Sequence, residues 1–363
     1  ALLATAHKAI SEADVVLFGG APLFNYVYQS FYLRTIVTLE IAEEYGVPVL
    51  FSSIGVEPFN ADSSKSLRLR KALHLPCVKQ ITTRDDFESL AKYMEGTETP
   101  IAHVADPAVL ANLIFDQLRK KPFASKQKTV GLVVTRINLC QDNKISFSGS
   151  DQRQLWLDVI DLLEQKGYEY RLFTTGHFSD EAFLDDLVRN HGVPAKNAAI
   201  TINSPEELIE ELCRCDGVIA YRLHASITAF AYNIPSIGLT WNFKVPMFYQ
   251  SVGYAERALE SSQWTASAVV AALEQAMDQG VTKDVSFLMS VYSTLFSGFK
   301  EVLCPESPVQ AFTYSELAKA IPRYAGTTPE QYRVKANRKM RRTYENFQKL
   351  VASVDSESVS ALI

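Results

Sequence analysis

The feature that most limits how this chain can fold is an alternation of strand and helix signals that runs along it twice. "ADVVLFGG" (13–20) is a short apolar run ending on two glycines. A run that is apolar on both faces fits a strand buried in a parallel sheet with helices covering it. "YVYQSFYLRTIVTLEIAEEYG" (26–46) follows with helical periodicity and a closing glycine, the usual site of a left-handed C-cap. Then "VPVLFSSIG" (47–55) reads as strand, "SKSLRLRKALHL" as helix, "VKQITTRD" as strand, "DFESLAKYM" as helix, and "PIAHVADPA" as strand and loop. Strands joined through helices in this way take right-handed crossovers within one parallel sheet.

The alternation breaks at "FDQLRKKPFASKQKTV" (115–130), which is polar and rich in Lys and Gln. It resumes with the strand "TVGLVVTRI", the helix "SDQRQLWLDVIDLLEQKG", the strand "YEYRLFTTG" and the helix "SDEAFLDDLVRNHG". A strand "NAAITIN", a helix "SPEELIEELCRC", a strand "DGVIAYR", a helix "HASITAFAYN" and a strand "IPSIGLTW" complete the second series. Ser204, Pro205 and Glu207 form a capping-box start for the helix at 205. The expected fold is therefore α/β, with two doubly wound Rossmann-like domains at 1–115 and 130–280. A linker at 116–129 joins them, and a cleft lies between them. A helical extension occupies 281–363. Residues 1–11 read as the tail of a helix running straight into a strand, so a further strand and helix are expected upstream.

Charge and cysteine usage exclude several classes of function. The net charge is −5, and a protein whose main partner is nucleic acid needs a basic surface. The five cysteines, Cys77, Cys140, Cys213, Cys215 and Cys304, are odd in number and match no disulfide or zinc spacing. Reduced thiols and a cytoplasmic setting follow as the expectation. No apolar run reaches spanning length, no signal peptide is evident, and no carboxylate cluster calls for a metal.

The densest chemistry lies in "CDGVIAYRLHASITAFAYNIPSIGLTWNFK" (215–244). Arg222 and His224 stand two apart at the end of a strand, the side of such a sheet where ligands bind. His224 opens a short apolar helix whose free N–H groups and dipole favour an anion. An arginine there can grip a carboxylate or phosphate in bidentate fashion, and an imidazole can pass a proton near neutral pH. Lys244 lies one strand further on. The opposing reading is a core histidine bonded to backbone, with Arg222 and Lys244 on the surface.

This block resembles the signature of the polysaccharide pyruvyl transferase family: a strand, R-L-H, a small-residue helix, a Pro-containing strand, and a Lys after an aromatic loop. Other pieces agree in order. "ADVVLFGGAPL" is similar to the family's first glycine turn, although Ala21 follows Gly19 and Gly20 where a third glycine is common. "PVLFSSIGVEPF" is similar to its G-x-G-P-F loop. "ITTRDDFES" is similar to its R-D-x-x-S element, with Glu88 in the serine slot and Ser89 after it. "VADPAVL", "GLVVTRIN" and "RLFTTGHFSDEAF" follow, and the resemblance spans about residues 13 to 280. It implies a GT-B-like fold and transfer of pyruvate from phosphoenolpyruvate onto a saccharide as a ketal, in cell-surface polysaccharide assembly. It implies His224 as the acid/base residue and Arg222, Arg84, Lys244 and Arg136 as the anion-binding set. The donor is a substrate, so no cofactor is implied. The acceptor, lipid-linked or free, is not named by the sequence.

Each remaining candidate has a plainer alternative. Arg84 can instead pair with Asp85 or Asp86. His177, on a strand-end turn, is a candidate lining residue. Asp106 precedes Pro107 and is a natural turn-former. Gly19, Gly20 and Gly55 allow tight turns and close approach of backbone to ligand. His103 reads as a core histidine. Two other functions compete: a glycosyltransferase using a nucleotide sugar, and a non-catalytic member of the family. The basic stretch within 331–350 reads either as a packed helix with a solvated face or as a weak peripheral contact with anionic lipid.

Overall fold

The structure is a computed structural model that describes residues 2–27, 30–116, 127–137, 139–200 and 202–360. Most of the expected linker at 116–129 lies outside the described residues. In chain order the first elements are α1 (Leu2–Ser11), β1 (Val16–Gly19), α2 (Phe31–Tyr45), β2 (Val49–Ile54), α3 (Ser64–Leu73), β3 (Val78–Thr83), α4 (Phe87–Met94) and β4 (Ile101–His103). Next come α5 (Ala111–Ile114), β5 (Thr129–Val133), α6 (Leu139–Asp142), α7 (Gly149–Gln165), β6 (Glu169–Phe173), α8 (Phe178–Asn190), α9 (Pro205–Cys213), β7 (Gly217–Ala220), α10 (Leu223–Ala231) and β8 (Ser236–Leu239). The chain ends with α11 (Lys244–Ser251), β9 (Ala258–Leu259), α12 (Ala266–Gln279), α13 (Val285–Leu303), α14 (Tyr314–Ala320) and α15 (Pro329–Ser360).

These elements form two compact units. Unit 1 holds Ala1–Leu110, Met247–Ala255 and Lys283–Ile321; unit 2 holds Ala111–Pro246, Glu256–Thr282 and Pro322–Ile363. The C-terminal region is therefore not a separate extension as the sequence suggests, because α13 and α14 belong to unit 1 and α15 to unit 2.

In unit 1 four parallel strands lie in the order β1-β2-β3-β4. That steady march puts α2, α3 and α4 on one face by the crossover rule. Phe24, Ile36, Leu39, Phe51, Leu69, Ile81 and Tyr93 fill the core there. Gln80 precedes Ile81 on β3 and points the other way. On that face α13 covers the sheet: the Gln80 amide donates to the Thr294 carbonyl at 3.2 Å, and the Ala105 N–H donates to Ser290 Oγ at 3.0 Å. Gly298 makes the approach possible, since a Cβ there would sit 2.6 Å from Gln80 Oε1. The apolar stripe of α13, with Leu288 and Val291 buried, needs a surface, and the uncovered face of the sheet supplies it.

Unit 2 carries five parallel strands in the order β6-β5-β7-β8-β9. The chain runs outward from β5 to β6, then crosses back to β7 on the other side of β5. This reversal is a topological switch point, and the crevice beyond the carboxyl ends of β5 and β7 is where such sheets bind ligands. Trp156, Leu132, Val159, Leu163, Ile219, Leu239, Val269 and Leu273 make one continuous core. Ser148 with Asp151, and Ser204 with Glu207 behind Pro205, form complete capping boxes.

One expected strand is not present among the described residues. "NAAITIN" pairs only through an isolated bridge between Leu172 and Ala198. Its backbone goes elsewhere: the Ile202 N–H donates to Glu181 Oε1 at 2.9 Å and the Asn203 N–H to Glu207 Oε2 at 2.5 Å. These bonds pull the segment onto α8 and α9 instead of the sheet edge. Gly176 seals the contact: its φ is +83°, and a Cβ would meet the Ile202 carbonyl oxygen at 2.6 Å. Gly46 also has a left-handed φ, +66°, but opens onto free space. Gly46→Ala should cost about 1 kcal/mol, from backbone strain alone. Gly176→Ala should cost about 1–3 kcal/mol more, from overpacking against backbone. Urea denaturation of the two variants measures this, and equal losses would show that the Ile202 contact yields freely.

Candidate active site at the switch point of unit 2

At this carboxyl edge the loop after β5 carries Arg136, that after β6 His177 and that after β7 Arg222, while His224 stands in the first turn of α10 and Lys244 opens α11 after β8. A residue not singled out from the sequence holds the first three loops together. Asp180, in the first turn of α8, is fully buried. Its carboxylate accepts from Arg222 twice, Nε to Oδ2 and Nη2 to Oδ1, both at 2.7 Å. It also accepts from the Thr135 hydroxyl at 3.2 Å and the Arg136 N–H at 3.0 Å. A buried carboxylate with four donors is well satisfied, and the bidentate fork fixes the plane of the guanidinium.

Arg222 is the N-cap of α10 and makes no side-chain cap bond; its carbonyl accepts from the Ala225 N–H at 2.9 Å, and its guanidinium is left to the Asp180 fork. The Arg222 side chain stays 24% exposed. His224, one residue into α10, is exposed, which removes the core-histidine reading. The Trp241 indole N–H donates to the Tyr221 carbonyl at 2.6 Å and so ties the loop bearing Lys244 to the residue before Arg222. The Lys244 ammonium lies 5.5 Å from the centre of the Phe243 ring, a cation–π distance. The guanidinium of Arg136, in contrast, is paired with Asp142.

His177 is the N-cap of α8, and its ring Nδ1 lies 2.8 Å from Ser179 Oγ. Partial burial of the imidazole, which packs on Phe178 at 4.9 Å, holds its pKa below the ordinary histidine value. Asp180 raises it, and the positive charges of Arg222, Arg342 and Arg136 lower it further. Arg342 comes from α15 and lies 5.9 Å from the centre of the Phe178 ring. Its neighbour Lys339 is pinned between Glu181 Oε1 and the Ile202 carbonyl, each at 2.5 Å. The basic helix thus packs on the amino end of α8 and adds a cation to the switch-point edge. Its repeated Lys and Arg signalled charge, but not which side chain would turn inward.

Unit 1 gathers the other candidates at the carboxyl edge of its own sheet. Arg84, after β3, donates through Nη1 to Asp106 Oδ2 at 2.6 Å, and both side chains are buried. Its partner is therefore neither Asp85 nor Asp86. Asp85 accepts from the Val56 N–H and the Thr83 hydroxyl, while Asp86 caps α4 through the Ser89 N–H. Asp106 is also the turn-former expected, accepting from the Ala108 N–H at 2.9 Å. Arg84 Nε is buried without a partner. Gly20 lies beside this guanidinium, 3.7 Å from Nη1 to the place of a Cβ. The Gly55 N–H donates to the Ala21 carbonyl and the Gly20 N–H to the Ser52 carbonyl, closing the turns that follow β1 and β2; Gly19 ends β1. Ser89, displaced by one from the family's serine slot, accepts from the Phe59 N–H at 3.0 Å and so braces the loop after β2. His103 packs on Phe287, and burial lowers its pKa.

Compared with known families, residues 2–242 match the polysaccharide pyruvyl transferases. The chain belongs to the polysaccharide pyruvyl transferase family. Among curated proteins no match is found. Among solved structures this family member is similar to the UDP-GlcNAc 2-epimerase of Methanocaldococcus jannaschii in complex with UDP-GlcNAc and UDP. The TM-score is 0.53 at 13% identity, covering 82% of this chain and 79% of that one. It is also similar to the UDP-GlcNAc 2-epimerase of Neisseria meningitidis bound to UDP-GlcNAc, with TM-score 0.52, 10% identity and coverage of 82% and 81%. At such identity the likeness is one of fold: two parallel sheets flanked by helices, GT-B-like, with additional C-terminal helices. Among the described residues no helix is long and apolar enough to cross a membrane.

The field at His177 gives a direct check on this geometry. Its folded pKa lies below the unfolded value, so the unfolded chain takes up the proton first as pH falls. Stability should therefore drop as pH falls through the ordinary histidine range near 6.5, and His177→Gln should remove that part of the slope. An NMR titration should place the His177 midpoint below 6.5 and move it upward in Arg342→Gln. A midpoint that is not depressed, or that ignores Arg342, would show that α15 does not act on this edge.

Proposed function

We propose that this protein is a pyruvyl transferase that moves pyruvate from phosphoenolpyruvate onto a saccharide as a cyclic ketal, in cell-surface polysaccharide assembly. The observation that carries this reading is the convergence of an oriented arginine, an exposed imidazole and a helix start at one switch point, in a chain of this family. Phosphoenolpyruvate presents a carboxylate and a phosphate. Arg222, held in plane by Asp180, meets one anionic group, and the amino end of α10 with Lys244 meets the other. Arg136, with its guanidinium on Asp142, serves in a lesser role, and His177 lines the edge. The family resemblance assigns Arg84 to the anion-binding set as well.

His224 acts as the acid. It gives a proton to the methylene carbon, and a sugar hydroxyl adds to the neighbouring carbon, which then carries a methyl group. The bond from that carbon to the phosphate oxygen breaks, and a second hydroxyl of the sugar closes the ring. The two hydroxyl protons leave in balance: one restores His224 and the other departs with phosphate. An imidazole is suited to both transfers near neutral pH.

A second reading is supported by the solved structures that share the fold and hold UDP-GlcNAc or UDP. In it the protein is a transferase or related enzyme using a nucleotide sugar, with the diphosphate at the start of α10. Ligand protection against thermal unfolding separates the two. A ligand at a hundred times its Kd adds about 2.7 kcal/mol. Phosphoenolpyruvate should stabilise the protein and UDP-GlcNAc should not; the reverse result selects the second reading. His224→Gln should keep the fold, since the side chain is exposed, and lower turnover by about 10²–10⁴. Full turnover in this variant would remove His224 from the chemistry.

A further inference from the structure

We propose that the outward face of α15 is a docking surface for an anionic phospholipid bilayer. The helix has two faces with different fates. Tyr332 and Lys339, seven residues apart, share one side. That side is tied down: the Tyr332 hydroxyl donates to Glu207 Oε1 at 3.2 Å and accepts from Asn203 Nδ2 at 3.1 Å, and Lys339 is held by Glu181 and the Ile202 carbonyl. The inner face is thus committed to α8, α9 and the segment between them.

The opposite face is open. Val334, Met340 and Tyr344 are 51%, 67% and 59% exposed, unusual for apolar side chains on a helix whose other side already has a seat. Arg333, Arg338 and Arg341 are interleaved with them and exposed. Between 329 and 345 stand six cations, Arg333, Lys335, Arg338, Lys339, Arg341 and Arg342, against Glu330 and Glu345, in a protein whose net charge is −5. A groove lined by Val334, Asn337, Arg338, Arg341, Arg342 and Glu345 runs along this side. It gathers three guanidinium groups where a phosphodiester can meet them.

Charge complementarity selects the occupant. A second copy would set the same cations against each other. A nucleic acid would meet the acidic remainder of the surface. A bilayer rich in anionic lipid offers a plane of phosphates for the arginines and an acyl boundary for Met340 and Val334, with Tyr344 at the interface. A basic amphipathic helix already formed and anchored through Tyr332 and Lys339 can lie in that plane at a lower ordering cost than a segment that folds on binding. Because Arg342 of the same helix reaches Phe178 beside His177, docking would bring the switch-point edge of unit 2 toward the membrane. The inference holds for either donor discussed above.

The test is co-sedimentation with large vesicles of phosphatidylcholine alone or mixed with phosphatidylglycerol, at low and high salt. Wild type should sediment with the mixed vesicles only, and less at high salt. Arg333→Gln, Arg338→Gln and Arg341→Gln combined should lower the partition coefficient about a hundredfold, at about fivefold per charge. Met340→Ser with Tyr344→Ser should lower it about tenfold, since apolar burial is lost. All these side chains are exposed, so unfolding midpoints and stabilisation by phosphoenolpyruvate should match wild type. Should a variant fail to fold, the salt dependence of the wild type still decides. The proposal is overturned by no sedimentation with mixed vesicles at low salt, by equal binding to both vesicle types, or by variants that bind like wild type. Concentration-dependent self-association that Met340→Ser with Tyr344→Ser abolishes, without vesicle binding, would assign the face to a second copy and overturn it too.

Discussion

The arrangement at the switch point of unit 2 depends on the buried carboxylate of Asp180. A carboxylate with no exposure is tolerated only when its charge and lone pairs are met. Here the Arg222 fork, the Thr135 hydroxyl and the Arg136 N–H meet them, and these groups come from the ends of β7 and β5 while Asp180 itself starts α8 after β6. One side chain therefore sets the mutual position of three strand-end loops. Removing it would strand a partly buried guanidinium, at a cost of about 3–5 kcal/mol for breaking such a pair. The pair is better understood as an orienting device than as a source of stability, because apolar replacement of both partners can be neutral for folding.

The same pattern recurs with the other cations. Arg84 rests on Asp106, Arg136 on Asp142 and Lys339 on Glu181. Each guanidinium or ammonium is held in place by a carboxylate, which limits its motion and part of its field. Arginine suits this use, since a fork that spends two N–H groups on an internal partner still has others to present. At His177 burial comes first in holding the imidazole pKa down, Asp180 opposes it, and Arg222, Arg342 and Arg136 add to the depression.

The fold was largely legible because it rests on local periodicity. Buried parallel strands write themselves as short apolar runs, and the capping boxes at Ser148 and Ser204 lie within four residues of sequence. The strand expected at "NAAITIN" failed for a non-local reason: its N–H groups found Glu181 and Glu207 before they found a neighbouring strand. The division of the C-terminal region failed likewise. Nothing in "VSFLMSVYSTLFSGF" states that its stripe closes the bare face of unit 1, although Gly298 is the residue that lets Gln80 fit beneath it.

By itself the sequence determined the candidate residues and their placement at strand ends: Arg222, His224, Lys244, Arg136 and His177 in one series, and Arg84, Asp106, Gly19, Gly20 and Gly55 in the other. Spacing along a chain fixes which end of a strand a side chain occupies, because strand and helix periods are short. Tertiary structure alone decided how those residues are held. Asp180 meets Arg222 across 42 residues, Arg84 takes Asp106 instead of the adjacent acids, and α15 turns Lys339 inward onto Glu181 across more than a hundred residues. Such pairings are chosen by which buried charges must be neutralised once the sheets have closed, and a linear pattern of charges carries no record of that closure.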